Sequence, residues 1–183
     1  MDKFEIVGGN KLFGEVTVPC AKNSYLAILA GCVLCDGVVV LHNCPNFSDI
    51  NCMLDILTSL GAKIEKVDRT LVIDCTSICD PNVPKNLAKK IRSSIFLLGP
   101  LVGRLKKAVV PYPGGCEIGA RPIDLHLKGL RSLGIDILER HGVIKCETAQ
   151  IVGNNIHLDY PSVGATENII MAAVLGNGRT TIM

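Results

Sequence analysis

Two stretches decide the fold: Asn51–Gly61, NCMLDILTSLG, and Asp124–Gly134, DLHLKGLRSLG. They align at a shift of 73 residues and end identically in Ser-Leu-Gly. In the first, Met53, Ile56, Leu57 and Leu60 recur at helical spacing, and Ile123, Leu127 and Leu130 do so in the second. That spacing predicts an amphipathic helix in each, with Ser48 as a candidate N-cap and Gly61 and Gly134 just past the C-termini. Each helix is followed by an alternating segment, Ala62–Lys66 or Ile135–Glu139, and by a second strand, Thr70–Asp74 or Gly142–Cys146.

Working outward, the repeat extends upstream. Lys22–Val40 resembles Arg92–Val110 at a shift of 70, and Ala30–Leu41 resembles Met171–Ile182 at a shift of 141. These are apolar stretches of helical length leading into valine-rich or threonine-rich strands. The all-round apolar pattern predicts helices buried on every side. Each unit of about seventy residues reads helix, strand, helix, strand, strand, with two complete units and the opening of a third. Three such units would set their sheets around a bundle of buried helices. The chain stops at Met183 within a strand-like stretch, which reads as truncation inside the third unit.

Composition narrows the function. The chain has 183 residues, 48% apolar and 20% charged, as expected of a globular protein with a generous core. A net charge of +2 gives no whole-chain attraction for nucleic acid. Only 4% of residues are aromatic and none is Trp, which argues against base-stacking platforms. The longest apolar run, Leu26–Cys35, is too short to cross a bilayer. Nine scattered cysteines and a start without a secretory pattern point to a reduced, cytoplasmic setting, with most thiols as small hydrophobes. Cys32-x-x-Cys35 lies in a buried helix without a second Cys/His pair at suitable spacing, so no metal site is expected.

The densest chemical signal is the loop Tyr112–Pro122. Pro113, Gly114 and Gly115 lead into Cys116, with Gly119 and Arg121 close behind. A cysteine on a glycine-rich loop near a guanidinium is exposed and shifted toward thiolate, unless the segment is simply a hairpin. Lys22 and Arg92 occupy equivalent places at the starts of two apolar helices, where the helix dipole disfavours a cation. They are either anion ligands acting with the helix termini or solvated boundary residues. Arg121 adds a third cation, and three together suit a phosphate and a carboxylate. Asn23 reads as a hydrogen-bonding ligand residue or a helix cap. Asp124 reads as a ligand carboxylate or as an acid at a helix N-terminus, the latter on local grounds.

Ala21-Lys22-Asn23, Arg92-Ser93-Ser94, the Cys116 loop with its following Arg-Pro-x-Asp-Leu-His, and Ser162–Asn168 resemble one family over the whole chain. The chain resembles the N-terminal portion of the enolpyruvyl transferases, and within them the carboxyvinyltransferases acting on UDP-N-acetylglucosamine. The resemblance implies an α/β architecture of the α+β type, an inside-out α/β prism built of βαβαββ units. Residues 1 to 21 would then be the first strands of a second domain whose remainder is absent. Residues 22 to 183 would form an incomplete transferase domain, with units at about 22–91 and 92–161 and a partial one at 162–183.

The resemblance also implies the reaction, transfer of the enolpyruvyl group of phosphoenolpyruvate to the sugar's 3-hydroxyl with loss of phosphate, the first committed step of peptidoglycan synthesis. In it, Cys116 would act as general acid or be captured as an adduct, would be the thiol alkylated by fosfomycin, and would share the chemistry with Lys22. Lys22, Arg92 and Arg121 would hold phosphoenolpyruvate. Asn23, Arg92, Arg121, Pro122, Ile123, Asp124, Leu125, Ser162, Val163 and Gly164 would contact the UDP-sugar. No cofactor or metal is implied. The partners would be the two substrates and the missing C-terminal half, without which the fragment would not turn over. Pro19-Cys20 departs from the small residue and Gly that often precede Ala-Lys-Asn in the family, stiffening the crossover. The alternatives are the sister 3-phosphoshikimate 1-carboxyvinyltransferase, which has no equivalent thiol, and a non-catalytic nucleotide-sugar-binding module.

Overall fold

A computed structural model of the chain describes residues 3–18, 20–114 and 122–183. From Lys22 onward the order is α1 (Lys22–Gly31) with a 3-10 turn at Cys32–Leu34, β1 (Val38–Leu41), α2 (Ser48–Ser59), β2 (Lys63–Val67) and β3 (Thr70–Asp74). Then come α3 (Lys85–Ala88), a 3-10 turn at Arg92–Leu97, α4 (Leu98–Leu105), β4 (Lys107–Pro111), α5 (Asp124–Ser132), β5 (Asp136–Arg140) and β6 (Val143–Glu147). The last elements are β7 (Asn155–Ile156), α6 (Val163–Ala173) and β8 (Thr181–Ile182).

Two three-stranded antiparallel sheets have the same topology, β1-β3-β2 and β4-β6-β5. In each, the last strand of the unit lies in the middle, and its alternate residues are buried: Leu71 and Ile73 in β3, Ile144 and Cys146 in β6. Period-two alternation puts these side chains on the core face and the polar ones outside. Parallel pairing adds a further element. Pro81 and Val83 bond to both sides of Val109 in β4, and β7 pairs in parallel with β8. The strand nearest the third helical unit therefore begins at Asn155, ahead of the Ser162 boundary read from the sequence.

The amphipathic helices follow their pattern: Met53, Ile56, Leu57, Leu60, Leu127 and Leu130 are all core residues. Gly61 and Gly134 take positive φ values, 112° and 80°, where a side chain would be strained. Ser48 does not cap α2. The helix begins at Ser48 itself, after extended Phe47, and no side chain caps it. The first helices are not all buried on every side either. In α4 every residue from Leu98 to Gly103 is buried, because the helix is wedged among α6, β4 and the Cys32–Leu34 turn. In α1 and α6 one face packs and the other leaves Ile28 and Ile170 half exposed. Residues 3–18 form no helix or strand, and their apolar side chains stand in solvent.

Candidate functional site

The segment between α3 and α4 is the base of the site. Ser94, completely buried, donates its hydroxyl to Ala88 O at 3.1 Å and Ile91 O at 3.0 Å, which pins the turn carrying Lys89, Lys90 and Arg92. Ala88 O also accepts from Gly114 N–H at 3.3 Å. A Cβ on Gly114 would collide with the carbonyl and backbone of Lys89, so only glycine fits this approach. The same turn thus sets Arg92 and the first residue of the Gly114–Pro122 loop. Cys116 and Arg121, expected on that loop to supply the thiol and a cation, lie outside the described residues.

The Arg92 cation and the Asp124 carboxylate both act electrostatically on His126, and Gly164 packs close to its ring. The imidazole is 8% exposed. Burial and the neighbouring Arg92 cation push its pKa down to about 4, against the opposing pull of the Asp124 carboxylate. A Cβ on Gly164 would stand 3.1 Å from Phe96 and 3.5 Å from His126 Nε2, so α6 enters the corner through its first turn. There Ser162 caps the helix, its hydroxyl accepting from Ala165 N–H at 3.3 Å. Of the other expected contacts, Ile123 and Leu125 are buried, Pro122 and Asp124 are exposed, and Val163 is exposed at the same helix start.

Asn168 ties this corner together. It is completely buried on α6, accepts from Gly99 N–H at 2.6 Å, donates to Ile95 O at 3.0 Å, and faces His126 Nδ1 at 3.1 Å. Neither Asn168 nor His126 was singled out as a site residue from the sequence. The available signal was a polar Asn in the middle of an apolar helix, which needs partners once buried.

Lys22 occupies a different setting. It opens α1, beside the Arg92–Leu97 turn, and its Nζ pairs with Asp49 of α2 at 2.5 Å. Asn23 is exposed on the same turn. Both Lys22 and Asp49 keep a third or more of their side-chain surface in water. That lets an incoming anion compete for the ammonium.

The remaining thiols divide sharply. Cys32, Cys44, Cys52, Cys75 and Cys146 are buried, and Cys20, Cys35 and Cys79 are exposed. Burial pushes the Cys32 and Cys146 thiols up to about 12 and the Cys75 thiol up to about 11. Such groups stay protonated and inert.

Fold and motifs together define an enolpyruvyl transferase domain: the chain belongs to the EPSP synthase (3-phosphoshikimate 1-carboxyvinyltransferase) family, whose model matches residues 6–183. More particularly, it is 53% identical over 182 residues to UDP-N-acetylglucosamine 1-carboxyvinyltransferase 2 of Caldanaerobacter subterraneus subsp. tengcongensis, covering 100% of this chain and 44% of that protein. It is 50% identical to UDP-N-acetylglucosamine 1-carboxyvinyltransferase 1 of Carboxydothermus hydrogenoformans, covering 100% of this chain and 43% of the relative. The chain therefore spans less than half the length of these relatives. Among solved structures, the enolpyruvyl transferase NikO from Streptomyces tendae superposes with a TM-score of 0.80 at 22% identity, over 96% of this chain and 41% of NikO. At that identity the likeness establishes the fold. The mixed helix and strand content expected from the sequence is the content of this fold.

Proposed function

We propose that the chain supplies one half of the site for transferring the enolpyruvyl group of phosphoenolpyruvate to the 3-hydroxyl of UDP-N-acetylglucosamine. The observation that carries this reading is the match of the whole chain, at half its residues or more, to proteins named for that reaction. The sugar hydroxyl oxygen bonds to C2 of phosphoenolpyruvate and gives its proton to a base supplied by the other half of the protein, while C3 takes a proton and becomes a methyl group. The adduct then loses that C3 proton's equivalent and inorganic phosphate. Cys116 is the proton donor to C3 or the captured nucleophile. Lys22, Arg92 and Arg121 offset the charge of phosphate and carboxylate as the C–O bond breaks. Asn23, Pro122, Ile123, Asp124, Leu125 and the Ser162–Gly164 turn hold the UDP-sugar.

The corner built by Arg92, His126 and the α6 N-terminus supports this, since it gathers a cation and helix N–H groups at one place. The loop bearing Cys116 springs from the same turn as Arg92, which suits a lid that brings thiol and cation to one ligand. For the architecture, we read the two like sheets as faces of an α/β prism. Residues 1 to 21 then belong to a second domain, a reading supported by the solvent-exposed Phe4, Leu12 and Phe13. Residues 22 to 183 form the larger part of the first domain. A cytoplasmic setting goes with the nucleotide-sugar substrate; no helix among the described residues is long and apolar enough to cross a membrane.

The test is phosphate release from phosphoenolpyruvate by the complete natural chain carrying these residues. Release that depends on UDP-N-acetylglucosamine, and a fosfomycin adduct mapped to Cys116, support the reading. Release that depends instead on 3-phosphoshikimate would move the chain to the sister activity. Binding of the nucleotide sugar without turnover would make it a binding module.

A further inference from the structure

The Asn168 amide has one permitted orientation. Its acceptor oxygen meets Gly99 N–H and its nitrogen meets Ile95 O, so a flipped amide would oppose two donors at one end and two acceptors at the other. The second Nδ2 proton is then directed at His126 Nδ1, 3.1 Å away, and Nδ1 must accept it. A neutral ring whose Nδ1 accepts carries its own proton on Nε2. Nε2 lies on the side of Gly164, at the start of α6, and has no acceptor among the described residues.

Apart from the exposed Asp124 carboxylate at the start of α5, the groups assembled there are donors or a positive charge. Ser162 satisfies Ala165 N–H, while Val163 and Gly164 N–H are among the first-turn donors without intrahelical partners. To these the corner adds the positive end of an 11-residue helix, the Nε2–H of a buried imidazole, and the Arg92 cation. A site in which donors and a cation dominate takes an anionic oxygen.

We propose that His126 is a further ligand-binding residue, donating from Nε2 to a phosphate oxygen of the nucleotide sugar, and that Asn168 is the positioning residue that fixes this tautomer. The inference rests on the nucleotide-sugar reading of the corner given above. It assigns the ring a neutral donor role, distinct from the charged grip of the three cations. No proton moves during binding.

The test uses the complete natural chain with 15N-labelled histidine. Long-range 1H–15N spectra at neutral pH are expected to show His126 neutral with its proton on Nε2. Addition of UDP-N-acetylglucosamine should shift that proton's resonance, and inorganic phosphate alone, run as a separate arm, should shift it less. His126→Gln, which keeps an N–H near the Nε2 position, should bind within about 3-fold of the wild type, whereas His126→Leu should weaken binding by about 10-fold or more, the loss of one charge-assisted hydrogen bond. Asn168→Asp should draw the ring proton to Nδ1 and weaken binding similarly. A wild-type ring protonated on Nδ1, or His126→Leu binding as tightly as wild type, overturns the proposal. An equal shift with free phosphate would reassign the corner to a small anion and overturn the nucleotide-sugar part. A Nε2–H tautomer in a protein that takes up no UDP-N-acetylglucosamine would instead bring down the reading of the site while leaving the Asn168 lock standing.

Discussion

Lys22 and Arg92 each open an apolar helical stretch in equivalent units, yet the two starts are built differently. Around Lys22 the partner is one carboxylate, Asp49, across water-accessible surface. Around Arg92 the surroundings are a buried Ser94, a buried His126 and a buried Asn168, which between them bond to four backbone groups. The bodies of the helices differ in the same direction, α4 being enclosed and α1 open along Ile28. Equivalent sequence pattern does not make equivalent energetics: one corner is fixed by buried polar bonds, and the other is held by an exchangeable ion pair.

The largest expected effect of breaking that difference is at Asn168. Asn168→Leu leaves Gly99 N–H, Ile95 O and His126 Nδ1 without their partner, and should cost about 3–5 kcal/mol in urea unfolding. Gly99→Ala belongs with it, because the new Cβ would run into the Asn168 backbone carbonyl, which cannot move aside as a flexible side chain would. If either variant loses under about 1 kcal/mol, the range of an ordinary surface change, the corner is not fixed by buried polar bonds.

This contrast also marks how far the sequence was legible. The amphipathic pattern of Met53, Ile56, Leu57 and Leu60 gave α2 its face, and Ser-Leu-Gly its stop, because both signals are local. The burial of α4 but not of Ile28 was illegible, since both helices are apolar all round and only their neighbours decide which faces are covered. At the site, Lys22 and Arg92 were visible as cations at helix starts. Their different fates depended on Asp49 and His126, residues 27 and 34 positions away along the chain. Asn168 was visible only as one residue in a matching motif; its role comes from three partners on two other segments and α5.

The next effect is on pH dependence. The folded protein holds the His126 pKa near 4, while an unfolded chain has it at 6.5. Between those values the unfolded state binds a proton that the folded state refuses. The stabilisation is therefore complete above pH 6.5 and falls as pH drops toward 4, by about 3 kcal/mol in total. Glu167 on α6, its carboxyl pushed up by burial, acts in the opposite sense at the lower end of this range. The measurement is thus the difference between wild type and His126→Gln in urea midpoints from pH 7 to 4.5. A wild-type curve that stays parallel to the variant's would mean that His126 titrates normally and that its corner is as wet as that of Lys22.

Gly114→Ala tests how far the Arg92 corner extends into the loop. The added Cβ meets Lys89, so the loop base must lift off the α3 turn. Global stability should fall by about 1 kcal/mol, because lifting the half-buried loop base relieves the clash without opening the core. The rate at which Cys116 is alkylated, read by peptide mass spectrometry, should change several-fold. The buried Cys32, Cys75 and Cys146 provide an internal baseline, since their thiols remain protonated. An unchanged rate at Cys116 would mean that the loop is not referenced to the Arg92 turn.

The smallest effect is expected at the Lys22 corner. Asp49→Asn removes the carboxylate paired with Lys22 across partly exposed surface. Exposed pairs of this kind contribute about 0–1 kcal/mol, so the urea midpoint should barely move, and what difference there is should shrink as salt is added. The consequence for ligands runs the other way. An ammonium freed from Asp49 should hold an anion better, and phosphoenolpyruvate affinity in the complete chain should rise or stay level. A fall in affinity would show that Asp49 orients Lys22 instead of competing with the ligand. The Lys22 corner would then be as preorganised as the Arg92 one, by an exposed ion pair in place of a buried amide.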